Sequence, residues 1–222
     1  MTTLGLEADA VVLDLDGLLV DSETAAFDVA RGILADEGAH LDRELFALHV
    51  GRPASRLYAA LVAHYGMAVA VTDLLRRRED GLARFYADPT PMPGAVDFVR
   101  RAAARGIAVG VASSSHLSVV TRAVEALGLL PAVGAVVGRG GPAGPAPKPA
   151  PDVYLTALRR LGVSPSAAVG VEDSATGAQA SVAAGLTTVV IPSEWTLSQT
   201  FPSGVLRTGS LANLDVRPRP PG

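Results

Sequence analysis

The 222-residue sequence contains no cysteine and a single lysine, Lys148, against eighteen arginines. The first absence excludes disulfides, thiolate metal sites, iron–sulfur clusters and a cysteine nucleophile. Carboxylates, hydroxyls, four histidines and basic groups remain for chemistry. Charge is also sparse: charged residues make up 18% and the net charge is −3, so there is no electrostatic footprint for nucleic acid. No apolar run reaches the roughly 18 to 20 residues that cross a bilayer, which excludes a transmembrane helix. Met1 to Ala10 has no basic stretch ahead of an apolar one, so no secretory signal is expected and a cytoplasmic location is the default. What the chain has in quantity is small apolar surface. Hydrophobic residues reach 49%, inflated by 38 alanines, enough to bury a sizeable core.

The lone lysine stands out against that background. Where arginine is used everywhere else, a surviving lysine marks a place for a compact, flexible point charge into which a guanidinium fork would not fit. Chance is the alternative reading.

Apolar runs at 10–15, 107–112, 133–137, 167–171 and 187–191 predict buried strands. Helical patterns at 94–105, 116–128, 151–162 and 174–184 lie between them, several opened by Pro, Ser or Asp and closed by Gly. That alternation predicts an α/β fold, a doubly wound, Rossmann-like parallel sheet with helices on both faces. Residues 22–92 break the pattern with amphipathic stretches at 22–38, 42–48, 53–65 and 72–87, an α-helical insertion after the first strand. The expected domains are therefore a discontinuous core, 1–21 plus 93–222, and a helical cap, 22–92. Asp88-Pro-Thr-Pro-Met-Pro-Gly94 forms a semi-rigid boundary between them. The Gly- and Pro-rich stretch from Gly138 to Pro151 is expected to be a loop.

Four constellations could carry chemistry. Asp14 and Asp16 end the first strand, and in an extended chain positions i and i+2 face one way, so two carboxylates would share a site that calls for a cation. A polar strand end turning at Gly17 is the alternative. Ser113-Ser114-Ser115 ends the second strand ahead of a helix and offers either a phosphate cradle or an ordinary N-cap. Lys148 stands among Pro147, Pro149 and Pro151, which would present its ammonium from a stiff support. Glu172 and Asp173 sit where a strand passes into a helix. Hard oxygen donors there suit Mg²⁺, unless Asp173 or Ser174 merely caps the helix. The nearby Gly138-Arg-Gly140-Gly-Pro-Ala143 mimics a dinucleotide fingerprint, but the prolines after it forbid the helix that fingerprint needs. Each of the four constellations falls at the carboxyl end of a different predicted strand or in the loop after one, where a doubly wound sheet binds ligands.

Taken together, Val12-Leu-Asp14-Leu-Asp16-Gly-Leu-Leu-Val-Asp21-Ser-Glu23, Val111-Ala-Ser113-Ser-Ser115, Lys148-Pro-Ala-Pro-Asp-Val-Tyr154 and Gly170-Val-Glu172-Asp173-Ser-Ala-Thr-Gly177 resemble the haloacid dehalogenase superfamily, in its β-phosphoglucomutase and phosphoglycolate phosphatase branch with a helical cap. The resemblance spans about residues 9–215. It implies a Mg²⁺-dependent phosphatase for a small phosphorylated metabolite, a sugar phosphate or a phosphoglycolate-like acid. Asp14 is then the nucleophile that forms an aspartyl-phosphate, and Asp16 the general acid/base. Ser113 and Ser114 bind the phosphoryl group and Lys148 neutralises charge between it and Asp14. Asp173, Asp14 and the carbonyl of Asp16 ligate Mg²⁺, with Glu172 a ligand or an orienting neighbour. A phosphomutase on the same scaffold and a catalytically silent binding member are the alternatives.

The residue inventory narrows the family. Asp16 disfavours dehalogenation, and the absence of lysine from 22–92 disfavours Schiff-base phosphonate cleavage. Leu18 stands where many members have threonine. His116-Leu117 replaces the Lys-Asn pair of the mutases, although His116 could still touch a ligand. His49, Arg52 and Arg56 are the candidate specificity contacts of the cap. Arg76-Arg77-Arg78 is expected to be a solvated helix face, and Trp195 to pack a loop. No membrane or nucleic-acid partner is expected, and a monomer is the prior.

Overall fold

The computed structural model describes residues 3–50, 53–140 and 144–220. It opens with strands β1 (Leu4–Glu7) and β2 (Ala10–Leu13). Four helices follow, α1 (Ser22–Asp36), α2 (Arg43–Ala47), α3 (Ala54–Tyr65) and α4 (Val71–Phe85), then α5 (Ala95–Ala104). Strands and helices then alternate as β3 (Ala108–His116), α6 (Leu117–Ala126), β4 (Ala135–Arg139), α7 (Asp152–Leu161), β5 (Ala168–Glu172), α8 (Ala175–Ala183) and β6 (Thr187–Val190). The short strands β7 (Leu206–Arg207) and β8 (Leu214–Arg217) complete the chain. Among the described residues no helix is long and apolar enough to cross a membrane.

Six strands form one parallel sheet in the order β4-β3-β2-β5-β6-β7, and β1 pairs with β8 in a separate two-stranded sheet. The chain winds outward from β2 through β3 to β4, returns to β5 on the other side of β2, and continues through β6 to β7. The reversal leaves a crevice at the carboxyl ends of β2, β3 and β5, the place where such sheets bind ligands. Leu13 pairs with both Val111 and Val171, so the three strands are in register where β2 ends. Period-2 alternation divides the apolar side chains between the faces. Ala10 and Val12 pack with Tyr154, Ala157 and Leu158 of α7, whereas Val11 and Leu13 join Phe98 and Val99 of α5 and Val120 and Val124 of α6.

Small residues let the helices lie close. A Cβ on Gly170 of β5 would stand 2.0 Å from Ser181 Oγ of α8, so only glycine fits at that crossing. Ser174 caps α8 by accepting from Gly177 N, which leaves Asp173 out of the capping role.

Helices α1 and α4 pack together, and α3 packs on α4. Gly81 of α4 permits the first contact, since a Cβ there would lie 2.7 Å from Val29 Cγ1. The two chain segments joining these helices to the sheet run side by side. Val20 and Pro91 form an antiparallel bridge, Asp21 N donates to Thr90 O at 2.9 Å, and Met92 N donates to Leu19 O at 2.9 Å. A second link comes from the segment after β6. Trp195, 4% exposed, packs on Phe27 of α1 and Phe46 of α2 with ring centroids 5.4 and 5.3 Å away. Arg43 stacks on the same indole at 4.1 Å and pairs with Glu194 at 2.5 Å.

Candidate active site

Three sequence expectations about local structure need correction. β2 stops at Leu13, so Asp14 and Asp16 are held by the turn after the strand and not by strand alternation. Gly17, at φ 78°, turns the chain there, and Gly17 N donates to Val20 O. β3 does not stop before the serines but runs on to His116, with an irregular register between Ala112 and His116. The serines are therefore not the N-cap of α6. His116 takes that place, its Nδ1 accepting from Ser118 N and lying 2.8 Å from Ser118 Oγ. The amide of Ser115 is used internally, donating to Ser113 Oγ at 2.9 Å.

Asp14, Lys148, Glu172 and Asp173 converge as the sequence motifs predict. The Lys148 ammonium donates to Asp14 Oδ1 and, at 2.5 Å, to Glu172 Oε1. Its side chain is 6% exposed, and Glu172 is fully buried. Tyr154 OH donates to the same Glu172 oxygen at 2.5 Å, and the Tyr154 ring lies 5.1 Å from the ammonium. Glu172 Oε2 accepts from Ser174 Oγ at 3.4 Å, so both of its oxygens are engaged. Lys148 is also fixed through its backbone, Lys148 N donating to Ser114 Oγ at 3.1 Å.

Carboxylate oxygens of Asp14, Glu172 and Asp173 lie within 4.8 Å of one another. Three carboxylates against one ammonium leave two negative charges in a buried cluster, an arrangement that is costly without a further cation. The strain appears in the acidities. Burial first, then repulsion from Glu172 and Asp16 against the attraction of Lys148, holds the Asp14 carboxyl well above the ordinary carboxylate range. Burial and the charges of Asp14 and Glu172 do the same to Asp173. Burial would lower the Lys148 ammonium, but the Asp14 and Glu172 carboxylates outweigh it and hold the pKa above the ordinary lysine value. Hard oxygen donors with unbalanced negative charge fit Mg²⁺.

Asp16 faces other partners. Tyr86 OH donates to its Oδ1 at 2.5 Å, while Ser113 Oγ and Ser115 Oγ each donate to Oδ2 at 2.9 Å. Both aspartates line one cavity of about 500 Å³, with the three serines, Lys148 and Asp173. The opposite wall comes from the helical segment, through Glu23 and Ala26 of α1, Val50, and Arg78, Leu82 and Tyr86 on or just after α4. Burial, reinforced by Asp16 and only partly offset by Arg78, pushes the Glu23 carboxyl up to about 7.

The cap contacts expected from sequence fare differently. His49 does not line the cavity, although its neighbour Val50 does, and Arg56 is exposed on the first turn of α3. Arg52 lies outside the described residues. His116 is exposed at the start of α6 and lines a separate shallow groove. Arg78 corrects the expectation of a solvated arginine face. Arg76 points outward toward Asp80 and Arg77 pairs with Asp36 and Glu37, but Arg78 turns into the cavity. Residues 76, 77 and 78 step about 100° apart around a helix, so three consecutive arginines cannot share one environment. Tyr86 was not flagged by any motif. Its only sequence signal is the aromatic pair Phe85-Tyr86 just before the Pro-rich linker.

Comparisons with known proteins show the family and the fold. The family model described as haloacid dehalogenase-like hydrolase matches residues 8–185. Phosphoglycolate phosphatase of Rhodospirillum rubrum is 36% identical over 191 residues, covering 82% of this chain and 78% of the relative. Hexitol phosphatase B of Escherichia coli O157:H7 is 28% identical over 211 residues, 92% of each chain. In three dimensions the chain is similar to CbbY of Rhodobacter sphaeroides in complex with phosphate, with a TM-score of 0.76 and 26% identity over 92% of this chain and 95% of that one.

Proposed function

The chain belongs to the haloacid dehalogenase-like hydrolase family, and from that premise we propose that it is a Mg²⁺-dependent phosphatase hydrolysing a small phosphorylated metabolite, a sugar phosphate or phosphoglycolate-like acid, through an aspartyl-phosphate on Asp14. The observation that carries this reading is the buried cluster of Asp14, Lys148, Glu172 and Asp173, which faces a cavity holding a second, separately bonded carboxylate, Asp16.

Asp14 attacks phosphorus while the ester oxygen leaves, and Asp16 protonates that oxygen. Water then attacks the aspartyl-phosphate, giving a proton to Asp16, and inorganic phosphate and free Asp14 result. A phosphate monoester carries about −1.5 to −2 charge at neutral pH, so its approach to ionised Asp14 requires compensating positive charge. Lys148 supplies part of it from a position that Glu172 and Tyr154 fix. Asp14 and Asp173, with the backbone carbonyl of Asp16, are the residues that would hold Mg²⁺, and Glu172, bonded to Lys148, Tyr154 and Ser174, fixes the ammonium that faces Asp14. A Mg²⁺ ion held there would supply positive charge against the phosphoryl oxygens. Ser113 and Ser114 offer hydroxyl and backbone groups to the phosphoryl oxygens. In this reading residues 22–92 act as a cap over a core of 1–21 and 93–222, excluding bulk water from the cavity.

A phosphate-release screen over common phosphorylated metabolites tests this, with Mg²⁺ and with a chelator, on the parent chain and Asp14→Asn. Release should need the metal and fall about a thousandfold or more in the variant. No metal-dependent release from any monoester would refute the proposal.

A further inference from the structure

Tyr86 is the one donor to Asp16 that comes from the helical segment, among the described hydrogen bonds. It follows directly on α4 and is 7% exposed. Its position relative to Asp16 is set by two short covalent paths. Residues 16–20 lead from Asp16 to the Val20–Pro91 bridge, and residues 86–91 lead from Tyr86 to the same bridge. The hydroxyl and the carboxylate thus face each other across the crossing of the two linkers, which makes the contact a built one.

The two oxygens of Asp16 differ in what surrounds them. Oδ2 accepts from Ser115 and from Ser113, the serine assigned above to the phosphoryl group. Oδ1 accepts from Tyr86. Serine hydroxyls rotate and can either donate or accept, so Oδ2 can be met in its protonated or its unprotonated form. The Tyr86 phenol, on a buried ring held at the linker crossing, directs its O–H at Oδ1 and meets that oxygen as a donor.

We propose that Tyr86 is a positioning residue for the general acid/base: it holds Oδ1 of Asp16 as the accepting oxygen, so that Oδ2, on the phosphoryl side, carries the transferable proton. This rests on the reading of Asp16 given above. In the first step the proton leaves Oδ2 for the ester oxygen as the P–O ester bond breaks and the bond to Asp14 forms. In the second, Oδ2 takes a proton from the water whose oxygen bonds to phosphorus as the bond to Asp14 breaks. Tyr86 keeps its own proton throughout.

Leaving-group dependence separates this role from a structural one. Proton delivery matters for an alkoxide leaving group and little for p-nitrophenolate, which departs as the anion. Tyr86→Phe removes one oxygen and keeps the buried ring, so its melting profile should match the parent. Its kcat on the best alkyl phosphate from the screen should fall about tenfold, while kcat on p-nitrophenyl phosphate falls less than about twofold and KM for both is unchanged. Asp16→Asn should show the same discrimination more strongly. Equal losses on both substrates in Tyr86→Phe, or none on either, would overturn the role of Tyr86 while leaving Asp16 as acid/base, provided Asp16→Asn discriminates. If Asp16→Asn does not discriminate, the acid/base assignment itself fails and the role of Tyr86 falls with it.

Discussion

Gly17 and Asp173 approach so closely that a Cβ at position 17 would stand 2.3 Å from Asp173 Oδ2. The turn after β2 and the loop after β5 are thereby locked together. Asp173 keeps its place near the Asp14 carboxylate because position 17 has no side chain to displace it.

Gly17→Ala should therefore damage the site more than the fold. The new methyl displaces Asp173, and the φ of 78° adds backbone strain of roughly 1 kcal/mol or more. The expected result is at least about a hundredfold loss of turnover with weakened Mg²⁺ binding, read by metal titration of activity and by calorimetry. Normal metal affinity in this variant would contradict the assignment of Asp173.

Lys148→Arg keeps the charge and changes its shape. The ammonium sits between Asp14 and Glu172 with the Tyr154 ring at 5.1 Å, a space made for a point charge. Elsewhere on this arginine-rich chain the exchange would be mild, but here kcat should drop about a hundredfold or more. Turnover near the parent's would remove the role given to Lys148.

Mg²⁺ should stabilise the protein, and more at higher pH. Without metal the Asp14 and Asp173 carboxyls titrate well above their unfolded values. The folded chain then binds more protons than the unfolded one. Their stabilising contribution is complete below the ordinary carboxylate value and is lost as pH rises through the raised values. Mg²⁺ binds the ionised forms and opposes that loss. Thermal melts with and without saturating Mg²⁺ should diverge as pH rises from 5 to 8; a constant gap would refute this account.

Glu23 carries a similar signature outside the buried acidic cluster. With its carboxyl raised from 4.5 to about 7, its stabilising contribution is complete below about pH 4.5 and lost as pH rises through 7. Glu23→Gln should flatten that part of the stability profile. The difference between the two melting curves over that window isolates the residue, and parallel curves would show that its environment is not the one described.

Trp195→Ala should cost about 3–5 kcal/mol, because it empties the space between Phe27 and Phe46 as well as removing buried apolar surface. Arg43→Ala, which removes an exposed ion pair and a stacking contact, should cost less than about 1 kcal/mol each for those terms. Denaturant unfolding distinguishes the two.

The strands and helices were legible in the sequence wherever a continuous apolar run or a 3.6-residue period was long enough to stand above its surroundings. β1 and β8 were not, since four residues of alternating pattern carry too little signal. Asp14, Glu172 and Asp173 were legible because they fall at strand ends, which are easy to find, and Lys148, in the loop after β4, because it is the single lysine of the chain. The four meet at the carboxyl edge of the sheet.

What the sequence determined by itself is the parallel sheet, the four-helix insertion and the set of polar residues that the sheet gathers at its carboxyl edge. The tertiary structure alone decided which groups of the insertion face them. Arg78 turns into the cavity while Arg76 faces solvent and Arg77 is held against the end of α1, and Tyr86 rather than a histidine or arginine reaches the second aspartate. The physical reason is range. Strand ends are fixed by local pairing, whereas the contact between Tyr86 and Asp16 spans seventy residues and depends on how whole helices pack and how two linkers cross.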